Sequence, residues 1–248
     1  MNQIQMFRQT MAAFKADPEW PTSHLITEPI PETPALGRKR ASWRAINADV
    51  FAVMSEPREH VGVMNFASPT NPGGGVEFGA KAQEESIAKG TYLVPALRQF
   101  ESSYYAPNRA EPNGGLNTPN LIYSQHVRQV FDHEGQMLVG RYVDIVTVAA
   151  PNLRRYPDLD ETKALVDIEQ KIMQTLRAFK ANSVRVPILG AFGCGVFGNS
   201  AYAVGKLFGQ SLRRREFNGA WDEVVFALYD PHGEIYGQFV KGLRNQEQ

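Results

Sequence analysis

The sequence contains a single cysteine, Cys194, among its 248 residues. One thiol cannot form a disulfide within the chain, which is typical of proteins that work in a reducing compartment. Residues 1–6 lack the apolar core of a secretory signal, and no apolar run approaches the roughly 18–20 residues of a membrane span. We therefore expect a cytoplasmic, globular protein with no membrane partner.

An excess of charge of either sign is also absent, since 26 basic residues balance 26 acidic ones. Proteins that bind unmodified nucleic acid ordinarily carry a basic stripe, and the three arginines at 213–215 are too few to form one. The five histidines show no metal-ligand spacing with cysteines or acids. The sequence thus predicts no metal site and no direct binding to unmodified nucleic acid.

Strand and helix patterns alternate over residues 41–248. Their apolar runs are typical of a mixed α/β sheet that is flanked by helices on both faces. The strands are predicted at 42–48, 61–67, 121–125, 143–149, 184–190 and 223–229, and the helices at 82–100, 161–181 and 199–217. A helical pattern at 2–16 and a proline-rich segment at 18–40 predict an N-terminal helical and extended arm, residues 1–40, before a catalytic domain at 41–248.

The most informative motif is Gly73-Gly74-Gly75, which is followed after seven residues by Gln83-Glu84-Glu85. Glycines adopt positive φ and let backbone amides approach a ligand such as a phosphate. Two acids follow within reach of whatever the glycines hold. Taken without context, the same motif also fits a flexible loop before a helix that begins with acids.

A second glycine-rich segment, residues 190–198, also lies between a predicted strand and a predicted helix. It has neither a Walker lysine-serine nor a strict GxGxxG pattern, so the sequence implies no nucleotide hydrolysis and no bound cofactor. Ligands of open α/β sheets bind at such loops. We expect the first glycine loop, residues 73–79, and the second glycine loop, residues 190–198, to clamp one diphosphate. The alternative is two unrelated tight turns.

Four stretches, in order along the chain, resemble the bacterial-type poly(ADP-ribose) glycohydrolases. They are residues 63–76 with the three glycines, 121–124, 146–152 and 190–199, and the Gln-Glu-Glu triplet follows at the spacing of that family. The resemblance implies a macrodomain-like fold, ADP-ribose polymers as substrate and ADP-ribose as product. It also implies that Glu85 serves as general acid and base.

The two glutamates are adjacent, so on a helix their side chains point about 100° apart. They cannot flank a scissile bond symmetrically as a glycosidase pair does, and the mechanism should need one acid. The resemblance makes Glu84 the residue that orients the ribose hydroxyls.

The resemblance also suggests a set of substrate-binding residues. Ser68 stands where macrodomains often have an asparagine, and Asn71 is expected to take over its contact with the distal ribose. Asp49 matches an aspartate that contacts the adenine amino group, although a helix N-cap explains it equally well. The full set is Asp49, Asn65, Asn71, Gly73, Gly74, Gly75, Gln83, Gly193, Gly195, Val196 and Phe197.

Two aromatic residues and the cysteine lie in the second glycine loop. Phe197 is expected to stack on ribose or adenine, although a core-facing anchor would look identical in sequence. Phe192 is assigned to the core, and Cys194 is interpreted as a small loop residue because no histidine is placed to activate it.

The sequence therefore predicts a glycohydrolase that releases ADP-ribose from poly(ADP-ribose) without metal or cofactor. One alternative is an enzyme that removes a single ADP-ribose from protein or nucleic acid. Another is a reader that binds ADP-ribose without turnover, against which the Gln-Glu-Glu triplet argues.

Overall fold

The computed structural model describes residues 1–245, and a seven-stranded mixed sheet forms its centre. The strands lie in the order β1-β4-β5-β3-β6-β7-β2. Strand β4 is antiparallel to both β1 and β5, whereas the other neighbours are parallel. The strands are β1 Thr22–Ile26, β2 Trp43–Ile46, β3 Val61–Phe66, β4 Leu121–Arg128, β5 Tyr142–Val148, β6 Val186–Leu189 and β7 Val224–Ala227. The expected α/β fold is confirmed.

Helices cover both faces of this sheet and enclose two apolar clusters. The α-helices are α1 Gln3–Ala16, α2 Val50–Ser55, α3 Gln83–Ala88, α4 Leu93–Arg98, α5 Ala106–Ala110, α6 Glu161–Ala181, α7 Ala201–Leu212 and α8 Glu234–Arg244. Residues of α1 to α4 contribute to the cluster on one face, and α6, α7 and α8 supply that on the other. Because both faces are covered, the ends of the strands are where a ligand can reach the sheet.

The predicted elements differ from the structure in five places. The predicted helix 82–100 is two helices, because Thr91 forms a bridge with Gln129 and the Tyr92 amide donates to the Arg128 carbonyl. Strand β1 and helices α2, α5 and α8 were not predicted.

The N-terminal arm is joined closely to the rest of the protein. Met6 and Phe7 of α1 are buried in an apolar cluster, and β1 pairs with β4 at the edge of the sheet. Lys180 of α6 donates to the carbonyls of Thr33 and Pro34. The boundary near residue 40 stays a prediction.

None of the helices in residues 1–245 has both the length and the apolar character needed to cross a membrane.

Candidate active site

The end of β3 positions helix α3 through the side chain of Gln83. Its Oε1 accepts from the Phe66 amide at 2.9 Å, and its Nε2 donates to the Met64 carbonyl at 2.7 Å. The amide side chain thus pairs with β3 as a neighbouring strand would. Gln83 therefore fixes the first turn of α3, with its two glutamates, against the end of the strand.

Glu84 lies beneath the loop and is only 3% exposed. Its carboxylate accepts from the Ser68 amide at 2.7 Å, from the Gly73 amide at 3.2 Å and from Asn65 Nδ2 at 3.2 Å. Asn65 is placed by β3, where it pairs with Thr147 of β5 and donates to its hydroxyl.

Burial raises the pKa of Glu84 to about 8. Hydrogen bonds from Ser68, Asn65 and Gly73 oppose the shift, and the nearby Glu85 adds to it. Glu84 is therefore mostly protonated at neutral pH. Burial, and after it the charge of Glu84, also raises the pKa of Tyr104 and of Tyr105. Two buried phenols thus lie near the protonated Glu84.

Glu85 is held at the first glycine loop by two backbone amides. Its Oε1 accepts from Gly75 at 2.8 Å, and its Oε2 accepts from Ala82 at 3.1 Å. The second bond caps the N-terminus of α3. Glu85 is 7% exposed, so its carboxyl group is at the edge of the buried region.

Gly74 lies against both carboxyl groups. Its φ is +61°, and a Cβ there would overlap Glu85 Oε1 and come within 3.2 Å of Glu84 Oε2. Its amide donates to the Asn71 carbonyl at 2.9 Å.

The three glycine amides are therefore all used inside the protein, which differs from the expected role of the first glycine loop. Gly73 donates to Glu84, Gly74 to Asn71 and Gly75 to Glu85. In this arrangement, the first loop does not offer these amides to a diphosphate. Its sequence instead allows the backbone to surround and orient two carboxyl groups.

The second glycine loop has the opposite property. The amides of Gly193, Gly195, Val196 and Phe197 have no hydrogen-bond partner within the described chain. Three of them are consecutive, and Val196 is 68% exposed at the tip of the loop. Successive unpaired amides form a site for an anion.

The side chains of the second loop mostly secure its shape. Phe192 is fully buried beside Phe66, with ring centroids 5.6 Å apart, as expected for a core residue. Phe197 is partly buried and packs against the second apolar cluster, so its stacking role stays a prediction. Burial raises the pKa of Cys194 to about 12, so its thiol is protonated at neutral pH.

Two further residues that were predicted to bind the ligand, Asp49 and Asn71, differ in their surroundings. Asp49 caps α2 by accepting from the Phe51 amide at 2.7 Å, and its other oxygen accepts from the Ser86 hydroxyl at 2.7 Å. The N-cap interpretation of Asp49 is thus what the structure shows. Asn71 instead exposes its side chain beside the glycines.

Two cavities accompany these elements. One of about 300 Å³ lies against Thr70 and Asn71 and is bordered by Arg109, Arg155 and Tyr156. The other, about 470 Å³, lies under the N-terminal arm along α6 and contains none of the candidate site residues. The active site is assigned to the carboxyl pair, because these groups can transfer protons, whereas the size of a cavity does not indicate a reaction.

Sequence reasoning missed Arg154, which follows β5 and lies beside the second glycine loop. Its amide donates to the Phe197 carbonyl, and its Nε would be 3.4 Å from a Cβ on Gly198. Its guanidinium has no acidic partner within residues 1–245. No spacing motif marks such a residue, because the fold brings it to the loop from another strand.

Within the described residues, no group of three or more histidine, cysteine, aspartate or glutamate side chains is arranged to hold a metal ion.

Fold and site together define a macrodomain-like α/β protein with a buried carboxyl pair beneath one glycine loop. A family model described as the microbial-type PARG catalytic domain matches residues 39–132. A comparison with functionally curated proteins gives no match. The expected resemblance to bacterial-type poly(ADP-ribose) glycohydrolases (PARG) is confirmed by the family model and by solved structures.

Two of those solved structures cover nearly the whole chain. Poly(ADP-ribose) glycohydrolase from Thermomonospora curvata is 25% identical, with a TM-score of 0.83 and 98% of each chain covered. The enzyme from Deinococcus radiodurans in complex with ADP-ribose is 28% identical, with a TM-score of 0.76, and 94% of this chain and 96% of that chain are covered.

Proposed function

We propose that this protein hydrolyses poly(ADP-ribose) and releases ADP-ribose, with Glu85 as the general acid and base. The observation that carries the proposal is the carboxyl pair on α3, which the amides of Gly73 and Gly75 hold at the end of β3. The match of residues 39–132 to a PARG catalytic domain supports the same activity.

The reaction needs a proton for the leaving oxygen and a base for water. Glu85 donates its proton to the ribose oxygen of the leaving unit as the bond from that oxygen to the anomeric carbon breaks. Water then attacks the oxocarbenium-like carbon, and the Glu85 carboxylate takes the proton of that water. Because Glu84 is neutral near pH 7, it can donate a hydrogen bond to a ribose hydroxyl as well as accept one.

The diphosphate of the bound unit is assigned to the second glycine loop. The unpaired amides of residues 195–197 supply the donors, and Arg154 supplies the positive charge. We expect Phe197 to stack on the sugar or base. Asn71 is available for the distal ribose because its side chain is exposed beside Gly74. Asn65 and Gln83 support the site through Glu84 and β3.

Two related activities remain to be separated by experiment. The purified chain is incubated side by side with poly(ADP-ribose) and with proteins that carry single ADP-ribose groups, and free ADP-ribose is measured. Release from the polymer supports the proposal. Release from the singly modified protein alone would replace it with a mono-ADP-ribosyl hydrolase, and binding without release from either substrate would make the protein a reader.

The cellular setting and the choice of partner form a separate proposal. The single cysteine is buried, and the balanced charge offers no basic stripe. We therefore expect a cytoplasmic protein that recognises ADP-ribosylated molecules and not unmodified nucleic acid. Fractionation of cells and a binding assay with unmodified DNA and RNA test these two points.

A further inference from the structure

The cavity of about 300 Å³ is lined in part by residues 69–71, the segment that leads into the three glycines. It begins at residues 69–71, directly after Ser68, whose amide holds Glu84. Asn71 lines the cavity, and its carbonyl accepts from Gly74, the glycine that lies against both glutamates. The cavity therefore opens within a few residues of the proposed reaction centre.

Its charge is positive. Arg109 and Arg155 are the only charged residues among those that line it. Arg109 donates to the Thr70 carbonyl at 2.7 Å and pairs with Glu101, which fixes its position and offsets part of its charge. Arg155 is exposed, and its guanidinium has no acidic partner within the described chain. An anionic group in this cavity would therefore meet an unneutralised guanidinium.

A planar aromatic side chain, Tyr156, lies beside this positive charge. The Arg155 guanidinium lies 5.8 Å from the centre of the Tyr156 ring. Gly115, at φ +98°, packs against the same ring, since a Cβ there would come within 2.6 Å of it. Gly115 thus holds the ring in place, and the guanidinium over that ring has no acidic partner within the described chain. Aromatic rings and guanidinium groups of this kind bind nucleobases by stacking.

The cavity is separate from the second glycine loop, since no residue of 190–198 lines it. Residues 151–156 run between the two, with Arg154 bonded to Phe197 of the loop and Tyr156 lining the cavity. If the released unit places its diphosphate on the second loop, the rest of the polymer must leave Glu85 in another direction. A volume of about 300 Å³ suits one nucleotide-sized group.

We propose that this cavity, lined by Arg109, Arg155 and Tyr156, binds the second ADP-ribose unit of the polymer, which carries the leaving oxygen. The proposal rests on the proposed glycohydrolase function. Arg155 contacts the diphosphate of that unit, and the adenine stacks beside Tyr156. Substrates that have a second unit gain this binding, whereas substrates with a small leaving group do not.

The test compares two substrates that both release ADP-ribose. One is a short poly(ADP-ribose), and the other is ADP-ribose with a 4-nitrophenoxy group on the anomeric carbon, which leaves as 4-nitrophenol. For Arg155→Ala we expect kcat/KM to fall about tenfold for the polymer and to stay within about twofold for the nitrophenyl compound. Arg155→Glu should lower the polymer value further. Arg8→Ala, which removes an exposed arginine of α1, is the matched control and should change neither value.

The outcomes separate this proposal from the function on which it rests. If the wild-type enzyme cleaves both substrates and Arg155→Ala loses equally on both, or on neither, the assignment of the cavity is overturned. The glycohydrolase function then still stands. A wild-type protein that cleaves neither substrate would overturn the glycohydrolase function itself. Urea unfolding of each variant confirms that the fold is intact.

Discussion

Among single residues, the two adjacent glutamates differ most clearly in surroundings. Glu84 is buried under three N–H donors, whereas Glu85 lies at the edge with two. Because burial raises the pKa of Glu84 to about 8 from an ordinary value of 4.5, the folded state binds a proton that the unfolded state has lost between those values. The contribution of Glu84 to stability is therefore best below pH 4.5 and declines as the pH rises toward 8.

The upward shift of the Glu84 pKa predicts how the stability of the protein changes with pH. Between pH 5 and pH 8 the free energy of unfolding of the wild type should fall more than that of Glu84→Gln, because glutamine does not ionise. The difference should approach about 1.4 kcal/mol for each pH unit within the window. Urea unfolding at several pH values measures both proteins, and the other titrating groups cancel in the comparison. Parallel pH profiles would show that Glu84 titrates normally.

Cys194 offers a second test at a single residue. Its thiol is buried, and a pKa of about 12 leaves it protonated and unreactive at neutral pH. We expect Cys194→Ala to keep the rate of ADP-ribose release within about twofold. Iodoacetamide should label the folded wild type only slowly. Loss of activity in this variant, with its fold retained, would mean that the thiol takes part in the chemistry.

The sequence could predict which residues form the site, but it could not always predict what each of them does there. The glycines and glutamates were recognised as one site because their spacing is a motif. The sequence assigned the glycine amides to phosphate, and the structure gives them to Glu84, Glu85 and the Asn71 carbonyl. A carboxylate and a phosphate both accept from N–H groups, so the sequence could not distinguish these partners.

At the scale of elements, the first glycine loop works as a holder for the carboxyl groups. A side chain at Gly74 would strain a backbone at φ +61° and displace Glu85. We expect Gly74→Ala to lower the rate of ADP-ribose release by about 10²-fold or more, as expected when a catalytic group is displaced. ADP-ribose affinity, which we assign to the second loop, should fall much less.

Gly140→Ala is the matched control for this change. Gly140 has a similar φ of +64°, but nothing lies within 4 Å of a Cβ there. It should show the cost of backbone strain without the loss of turnover. If Gly74→Ala instead weakened ADP-ribose binding sharply in calorimetry, the diphosphate would lie on the first glycine loop.

The elements that can be predicted from the sequence are those whose apolar residues recur at a regular spacing. Helix α6 was predicted at 161–181 and is found there, because its apolar residues recur at helical spacing over 21 residues. The break between α3 and α4 was missed, since it depends on Thr91 pairing with Gln129 from a distant part of the chain. Strand β1 lies in the proline-rich segment and was not predicted, because it is defined by its pairing with β4.

At the scale of the whole molecule, the N-terminal arm is part of the packed protein. Phe7 of α1 is buried in an apolar cluster, and the Thr10 hydroxyl donates to the Lys89 carbonyl just after α3. Phe7→Ala should lower the free energy of unfolding by about 3 kcal/mol. Phe78→Ala, at a ring that is 87% exposed, should change it by less than about 0.5 kcal/mol.

Urea unfolding of both variants makes this comparison. Equal, small effects would show that α1 only lies on the surface and that residues 1–40 form a detachable arm. The sequence could predict the helix itself from its apolar stripe. It could not predict where the helix docks, because that depends on the shape of the surface between α1 and the loop before α3.

Glu85 is proposed to transfer the proton. The turnover of Glu85→Gln on poly(ADP-ribose), measured beside its affinity for ADP-ribose, tests this role. We expect a loss of turnover of about 10²–10⁴-fold, with a dissociation constant for ADP-ribose within about tenfold of the wild type. Proton transfer is lost, whereas the diphosphate site on the second glycine loop is unchanged. Turnover close to that of the wild type in a variant with normal ADP-ribose binding would show that Glu85 does not transfer the proton.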